Sequence, residues 1–142
     1  MREIKFRAWD KNSEQMITEG GFIELNGNGA FKVFIETSGE WEENGKNGGD
    51  IILMQYIGLK DTDKKKIFEG DILVDGDDVV GIVEYSINDG CFLLVDEYGI
   101  IAEHRYATEV FMWQKFTIIG NICEPPEELL NQYGEYFYKS EY

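Results

Sequence analysis

The sequence predicts a mainly β protein whose antiparallel strands form a small SH3-like barrel or pseudo-barrel, followed by a short C-terminal helix. Two observations support this fold class. Short segments of alternating or continuous apolar residues recur along the chain and are bounded by Asn, Asp or Gly, which is typical of strands joined by tight turns. Helix-forming sequence is nearly confined to a short segment around Pro125 and Pro126.

The composition predicts a globular protein with a strong excess of acidic residues. The chain has 142 residues, of which 43% are hydrophobic, and its formal net charge is −15 from 28 acids and 13 bases. A chain of this length can form one domain with a substantial core. The acid excess argues against a broad surface for nucleic acid, which needs clustered Lys and Arg. It suits solubility and basic partners.

The sequence also predicts a cytoplasmic protein of a bacterial cell. The first residues, MREIKFRAWD, alternate charged and apolar side chains and lack the apolar core of a signal peptide. Unbroken apolar stretches are only a few residues long, too short for a membrane span. The two cysteines, Cys91 and Cys123, have apolar neighbours and are expected to be buried, reduced thiols.

The N-terminal portion reads as short strands. Residues 3–9 alternate with period two, which predicts a strand buried on one face only. The face expected to be buried carries Ile4, Phe6 and Ala8. Residues 26–29, Asn-Gly-Asn-Gly, predict a hairpin turn, because Asn and Gly tolerate the positive φ of primed turns. The next strand is expected to have an apolar face formed by Phe31, Val33 and Ile35.

Residues 37–50 predict a long, mobile loop. They are polar and rich in glycine, and Trp41 is their only large apolar side chain. The loop divides a predicted single domain, residues 1–142, into an N-terminal β portion (1–48) and a C-terminal β-barrel portion (50–130). Residues 131–142 form a tail.

The central stretch, residues 54–74, predicts a strand, a turn and a second strand. Residues 51–57 have few polar positions, so both faces of this strand should be covered. Residues 60–66 form the turn, and Gly70-Asp71 marks a second corner. We expect positive φ or a close backbone approach at Gly58 and Gly70, and a backbone amide hydrogen-bonded to the Asp71 carboxylate.

The C-terminal portion continues this pattern. Residues 88–90, Asn-Asp-Gly, predict a hairpin turn, and residues 110–119 predict a later strand. Residues 124–133 predict a short helix that docks Leu129 and Leu130 on the β portion. The aromatic tail beyond it is expected to pack on the core or on a neighbouring subunit.

No pattern of residues predicts catalysis. His104 is the only histidine, and no local motif links it to Cys91 or Cys123. The spacing of these three residues fits no zinc site. The acidic turn 75–78 fails as an EF-hand loop, because Val79 and Ser86 fall where carboxylates are required. Its acids are interpreted as turn formers, with an unspecialised calcium site as the alternative. We therefore expect no catalytic residue, no metal site and no cofactor.

Three segments of the chain carry a resemblance to a known family. They are residues 1–10 (MREIKFRAWD), residues 55–72 (QYIGLKD followed by IFEGDI) and residues 119–130 (IGNI with the Glu-Pro pair and Leu129-Leu130). In order and spacing they resemble the YopX family, small proteins encoded by phages and prophages of Gram-positive bacteria. The resemblance implies a β-rich fold of pseudo-barrel character, a phage context and homo-oligomerisation. It implies no activity, ligand or catalytic residue. Lys64 and Lys65 depart from the pattern, since a glycine is expected at the hairpin tip.

These observations favour a non-catalytic phage or prophage accessory protein that self-assembles and binds a host or phage protein. The alternative is a nucleic-acid-associated regulator that uses the hairpin tip from Lys60 to Lys66, and a third hypothesis is an enzyme built on Cys91 or His104. Nucleic acid is not favoured as a partner, and no membrane partner is expected. The candidate interaction surface consists of Trp9, Gln55, Tyr56, Lys64, Lys65, Lys66, Tyr136, Phe137 and Tyr138.

Overall fold

The protein is mainly β, as the sequence predicts, with antiparallel sheets that include a curled half-barrel and one short C-terminal helix. A computed structural model describes residues 2–18, 22–25, 31–35, 39–43, 51–76, 79–103 and 113–131. The strands in these ranges are β1 (Phe6–Asp10), β2 (Gln15–Ile17), β3 (Phe22–Leu25), β4 (Phe31–Ile35), β5 (Glu40–Glu43), β6 (Ile51–Lys60), β7 (Lys66–Phe68), β8 (Asp71–Asp75), β9 (Val79–Ser86), β10 (Cys91–Asp96), β11 (Gly99–Glu103) and β12 (Thr117–Asn121).

The chain divides into two compact units. One unit is Ile4–Gln55, and the other combines Met1–Glu3 with Tyr56–Tyr142. The division falls inside β6, between Gln55 and Tyr56, whereas the sequence places its boundary in the preceding polar segment. The single domain therefore stays a prediction.

In the unit Ile4–Gln55, β1 pairs antiparallel with β2 on one side and with the first half of β6 on the other. A second, three-stranded sheet has the order β3-β4-β5. Leu25 lies opposite Phe31, so β3 and β4 pair as the predicted hairpin requires. The turn residues 26–29 lie outside the described part of the chain. Phe31 and Val33 are buried, as expected for the apolar face of β4.

The prediction that the first strand is buried on one face only is wrong. All residues from Arg7 to Asp10 are buried, whereas Ile4 is 63% exposed. Ala8 packs in a core cluster with Val33 and other apolar residues of this unit. The opposite face is also covered, since Arg7 Nε donates a hydrogen bond to Met54 Sδ at 3.3 Å. A basic residue can be buried in this way when its polar atoms find acceptors.

The prediction of one long loop over residues 37–50 is wrong for Glu40–Glu43, which form β5. β5 pairs antiparallel with β4, and Trp41 lies opposite Phe34. Backbone pairing with an existing strand can impose extended structure on a segment that has little apolar alternation of its own. The flanking residues 36–38 and 44–50 lie outside the described ranges.

In the other unit, the second half of β6 pairs with β7. An antiparallel five-stranded sheet follows, in the order β11-β10-β9-β8-β12. The predicted turn at residues 88–90 is confirmed: it joins β9 to β10, Gly90 has φ 65°, and Gly90 N donates to Ser86 O at 2.8 Å.

Strands β8 and β9 bury side chains on both faces of this sheet. Leu73 and Val83 belong to the larger core cluster, whose remaining members are Ile57, Ile67, Leu94, Trp113 and Phe116. Ile72 and Ile82 form a second cluster on which Leu129 and Leu130 pack. The docking of the C-terminal helix, observed at residues 127–131, is therefore confirmed. Each fully buried side chain of this size contributes about 1.5–3 kcal/mol.

The last strand was predicted over residues 110–119, and β12 starts at Thr117. Residues 113–116 precede it without strand structure, and residues 110–112 lie outside the described ranges. Phe116 N donates to Trp113 O at 3.2 Å, which closes a turn before the strand. Trp113 and Phe116 are both buried in the larger cluster. Side chains three residues apart can face one core from a turn, whereas they point to opposite faces of a strand. Strand β11 was not predicted.

Candidate interaction surface

The β6–β7 hairpin carries a group of lysines on a short loop. We call residues 60–66 the lysine tip; β6 ends at Lys60 and β7 begins at Lys66. The pairing of the two strands shifts between Tyr56 and Lys60. Gly58, within this shift, has φ 90°, so the positive φ expected there is confirmed. A residue with a side chain would be strained at that backbone conformation.

The Asp61 carboxylate organises the lysine tip. Asp61 is only 5% exposed. Its Oδ1 accepts hydrogen bonds from Asp63 N at 2.9 Å and Lys65 N at 2.8 Å. Its Oδ2 accepts one from Ile118 N at 3.0 Å. One carboxylate therefore connects the loop to β12, which is 57 residues away in the sequence, and bonds to an ionised acceptor are among the stronger ones.

Further hydrogen bonds hold the loop in one conformation. Within the tip, Asp61 N donates to Lys65 O at 2.9 Å. Thr62 N donates to Phe116 O at 3.0 Å, and the Thr62 and Thr117 hydroxyl oxygens are 2.7 Å apart. The tip is thus bonded to residues 116–118 through backbone and side-chain atoms. A loop held in this way loses little conformational freedom on binding a partner.

Lys64 adopts a backbone conformation that favours glycine. Its φ is +63°, in the left-handed region, where a residue with a Cβ costs about 1–2 kcal/mol. Lys64 and Lys65 are the hairpin-tip residues where the family resemblance leads one to expect a glycine. The hydrogen bond from Lys64 N to Asp61 O at 3.0 Å helps to maintain the turn despite this cost.

The lysines of the tip differ in their surroundings. Lys60, Lys64 and Lys65 are exposed and form no ion pair with any residue in the described ranges. Lys66 is half-buried, its Nζ lies 2.6 Å from Glu3 Oε1, and it also lies 5.7 Å from the centre of the Tyr56 ring. Three lysines therefore remain open to a partner.

Tyr56 lies under Lys66 and is buried. Burial raises the pKa of its phenol above the ordinary value, and the Glu3 carboxylate raises that pKa further, whereas Lys66 lowers it. With 6% exposure, the ring offers little surface to a partner. Tyr56 supports the base of the tip, and its ring centre is 5.8 Å from that of Phe68.

The corner at Gly70-Asp71 is a structural element. Asp71 is 1% exposed, and its Oδ2 accepts a hydrogen bond from Phe68 N at 2.8 Å. The predicted role of this carboxylate as a backbone acceptor is confirmed. Gly70 has φ 82°, its N donates to Val83 O at 2.8 Å, and its O accepts from Ile122 N at 2.9 Å. These hydrogen bonds give Gly70 and Asp71 a structural role that requires no ligand.

The other residues of the predicted interaction surface do not join the lysine tip. Trp9 is 8% exposed and belongs to the core of the unit Ile4–Gln55, so its ring is covered by neighbouring side chains. Gln55 is half-buried. Tyr136, Phe137 and Tyr138 lie outside the described part of the chain. Sequence reasoning missed Asp61, Thr62 and Thr117, and only the Asp-Thr-Asp turn at 61–63 gave a local signal for them.

The remaining reactive side chains show no arrangement for chemistry within the described ranges. Cys91 is buried, Cys123 is half-buried, and the two do not form a disulfide. His104, Asp77 and Asp78 lie outside those ranges. Among the residues described, no group of three or more His, Cys, Asp or Glu side chains is placed to hold a metal ion. In the same ranges, no helix is long and apolar enough to cross a membrane.

Solved structures that share this fold include the following two. The crystal structure of protein EF1440 from Enterococcus faecalis is similar with a TM-score of 0.62 at 24% identity, and the match covers 91% of this chain and 99% of that one. The crystal structure of protein yopX from Bacillus subtilis is similar with a TM-score of 0.55 at 20% identity, covering 89% and 98%. Identities this low establish the fold alone.

Sequence comparison gives the family. No curated protein matches the chain. A family model described as YopX protein matches residues 5–131, which is most of the sequence, covers parts of both units and includes the lysine tip. The chain belongs to the YopX family.

Proposed function

We propose that this chain is a non-catalytic accessory protein of a phage or prophage, and that its lysine tip binds an acidic surface of another protein. The observation that carries the proposal is the hydrogen bonding of the Asp61 carboxylate, which fixes the backbone from which the exposed lysines project. Self-assembly stays part of the proposal and rests on the family resemblance. A location in the bacterial cytoplasm also stays part of it, and rests on the alternation of charged and apolar residues at positions 1–10.

Charge and preorganisation together support an electrostatic contact. Lys60, Lys64 and Lys65 are exposed, whereas the Asp61 carboxylate is buried among backbone amides. Exposed charges steer encounter and set specificity more than they set affinity. The tip therefore provides a local cationic surface on a chain whose net charge is −15.

A nucleic-acid partner for the same tip is the second candidate. The observation that favours it is the pair of hydroxyls on Thr62 and Thr117, because hydroxyls beside lysines are common phosphate contacts. Three phosphate contacts on duplex DNA would give a slope of only about −3 in a plot of log affinity against log salt. The acidic remainder of the chain would repel the same backbone, so we favour an acidic protein.

Affinity capture during infection, followed by reconstitution with purified partner, tests the proposal. The variant carries Lys60→Glu, Lys64→Glu and Lys65→Glu, and the control is Lys11→Glu, an exposed lysine in the other unit. We expect an acidic partner whose binding weakens at least about tenfold in the triple variant and falls with added salt. The control should bind normally.

Two results would contradict this function. One is a reconstituted partner that binds the triple variant and the unaltered protein equally well. The other is a gel shift with single- or double-stranded oligonucleotides that the triple variant loses while no acidic protein is captured, which would favour the second candidate. Light scattering tests self-assembly separately, and a strict monomer at all concentrations removes that part of the proposal.

A further inference from the structure

A long acidic segment of the chain contains no positive side chain. Between Lys66 and Arg105 the sequence has ten Asp or Glu residues and no Lys or Arg. This segment includes all of β8, β9, β10 and β11. These four strands therefore carry no Lys or Arg, and neither does β12, the fifth strand of the sheet. The local field of the sheet favours a cationic partner.

An aromatic pair is exposed on this part of the sheet. Tyr85 on β9 lies opposite Phe92 on β10, so their side chains share one face. Their ring centres are 5.2 Å apart with planes inclined by 68°, an edge-to-face arrangement. Phe92 also packs against the larger core cluster, whereas Tyr85 is 48% exposed.

The turn next to this pair adds an apolar side chain and a carboxylate. Ile87 is 89% exposed, and Asp89 is also exposed. Ser86 Oγ donates to Asp89 Oδ2 at 2.7 Å, and Asp89 N donates to Ser86 Oγ at 3.1 Å. The turn is thereby held in place. We call Tyr85, Ile87, Asp89 and Phe92 the aromatic hairpin end.

We propose that the aromatic hairpin end binds an arginine- or lysine-bearing, partly apolar segment of another protein. A guanidinium or ammonium group is attracted by the face of an aromatic ring such as Tyr85. The exposed Asp89 carboxylate, in the turn at the same end of the hairpin, adds negative charge that favours a cation. Ile87 supplies apolar contact area for the partner's aliphatic groups. This surface has the opposite charge preference to the lysine tip, and its argument is independent of the proposed function.

The same charges argue against three other occupants: nucleic acid, anionic lipid and a second copy of this chain. Exposed aromatic rings also stack nucleic-acid bases, but such surfaces carry lysines or arginines that follow the phosphate backbone. Residues 67–104 have neither. Anionic lipid headgroups would be repelled for the same reason. A second copy of this chain would bring ten further acids in the corresponding segment, and the two negatively charged surfaces would repel each other.

Titration of the full-length protein with short synthetic peptides tests the proposal. The probes are a peptide of alternating Arg and Leu, a matched peptide of alternating Glu and Leu, and a single-stranded oligonucleotide. We expect only the Arg-Leu peptide to bind, and its affinity should fall with added salt.

Variants then place the binding site. Tyr85→Leu keeps apolar bulk but removes the ring, so it should weaken Arg-Leu binding by roughly 3- to 10-fold, whereas Tyr85→Phe should bind like the unaltered protein. Asp89→Asn should weaken binding while retaining an acceptor for Ser86. Tyr98→Ala is the control, because Tyr98 is 90% exposed but lies in the β10–β11 turn at the far end of β10.

Several outcomes would overturn the inference. Equal binding of the Arg-Leu peptide by Tyr85→Leu and the unaltered protein would show that the site lies elsewhere. Binding of the oligonucleotide in preference to the peptide would reject the class of partner. Concentration-dependent self-association that Tyr85→Leu abolishes, together with no peptide binding, would assign the surface to a second copy of the chain.

Discussion

Replacing Asp61 by alanine should destabilise the protein more than any other single change in the lysine tip. The substitution removes the acceptor of three backbone amides, those of Asp63, Lys65 and Ile118. Two of these amides belong to exposed residues, and the third to a half-buried residue of β12. Water can replace the lost acceptor far better at the exposed amides of Asp63 and Lys65 than at the half-buried amide of Ile118.

The structure sets the expected size of this effect. Loss of each exposed bond should cost about 0.5–1 kcal/mol, and loss of the bond to Ile118 about 1.5–2 kcal/mol, so Asp61→Ala should lose about 3 kcal/mol in the free energy of unfolding. Asp61→Asn keeps one oxygen for the two loop amides. Its NH₂ group would face the Ile118 N–H, and two donors cannot form a hydrogen bond with each other. This variant should therefore lose about 2 kcal/mol in the free energy of unfolding.

Urea unfolding followed by far-ultraviolet circular dichroism measures these losses, and amide hydrogen exchange localises them. Faster exchange is expected at Asp63, Lys65 and Ile118 before it appears in the core strands. Asp63→Ala is the control, since its exposed carboxylate has no described role in the loop, and it should stay within about 0.5 kcal/mol of the unaltered protein. A loss below about 1 kcal/mol for Asp61→Ala, or equal losses for Ala and Asn, would refute the assigned role.

Three further predictions concern backbone strain, packing and pH. Lys64→Gly should raise the free energy of unfolding by about 0.5 kcal/mol in urea titration, because relief of the left-handed φ exceeds the added flexibility of the unfolded chain; a loss would contradict this. Gly120→Ala should lower the melting temperature and cost about 1–3 kcal/mol, since the new Cβ would lie 2.7 Å from Cδ of the rigid Pro126 ring; an unchanged transition would count against it. The folded pKa of Tyr56 is raised, so its neutral phenol stabilises the fold below a pH of about 10, and this contribution is lost as pH rises through the folded pKa. Glu3→Gln should shift the tyrosinate absorbance titration of Tyr56 to lower pH, and a shift to higher pH would reject the electrostatic argument.

Local turn chemistry made much of this fold predictable. Three predicted features depend only on residues close in the sequence. Gly90 N bonds to Ser86 O in the turn at 88–90, and the Asp71 carboxylate accepts from Phe68 N. Gly58 adopts its own positive φ. Such interactions leave a signal in the adjacent sequence. The docking of Leu129 was predictable for a similar reason, because two prolines and an acidic first turn mark the short helix.

The remaining features depend on distant residues. Trp9 alternates with the apolar side chains of β1 and is therefore predicted to face solvent, but it is buried in the unit Ile4–Gln55. β1 pairs with β6, a strand that is distant in the sequence. β5 is extended because it pairs with β4, and its own residues show little alternation. Only part of the site could be predicted from the sequence. The lysines of the tip were identified, but the hydrogen bond from Ile118 N to the Asp61 carboxylate joins residues 57 positions apart and leaves no local sequence signal.

The buried tryptophans give each unit its own optical reporter. Trp113 is fully buried in the larger core cluster, and among the described residues its indole Nε1 has no hydrogen-bond partner. Trp9 is buried in the other unit. An indole in such dry surroundings emits at short wavelength and shifts to the red when water reaches it. With Trp41 replaced by Phe, single-tryptophan versions of the protein would reveal whether the two units lose their cores together or one after the other.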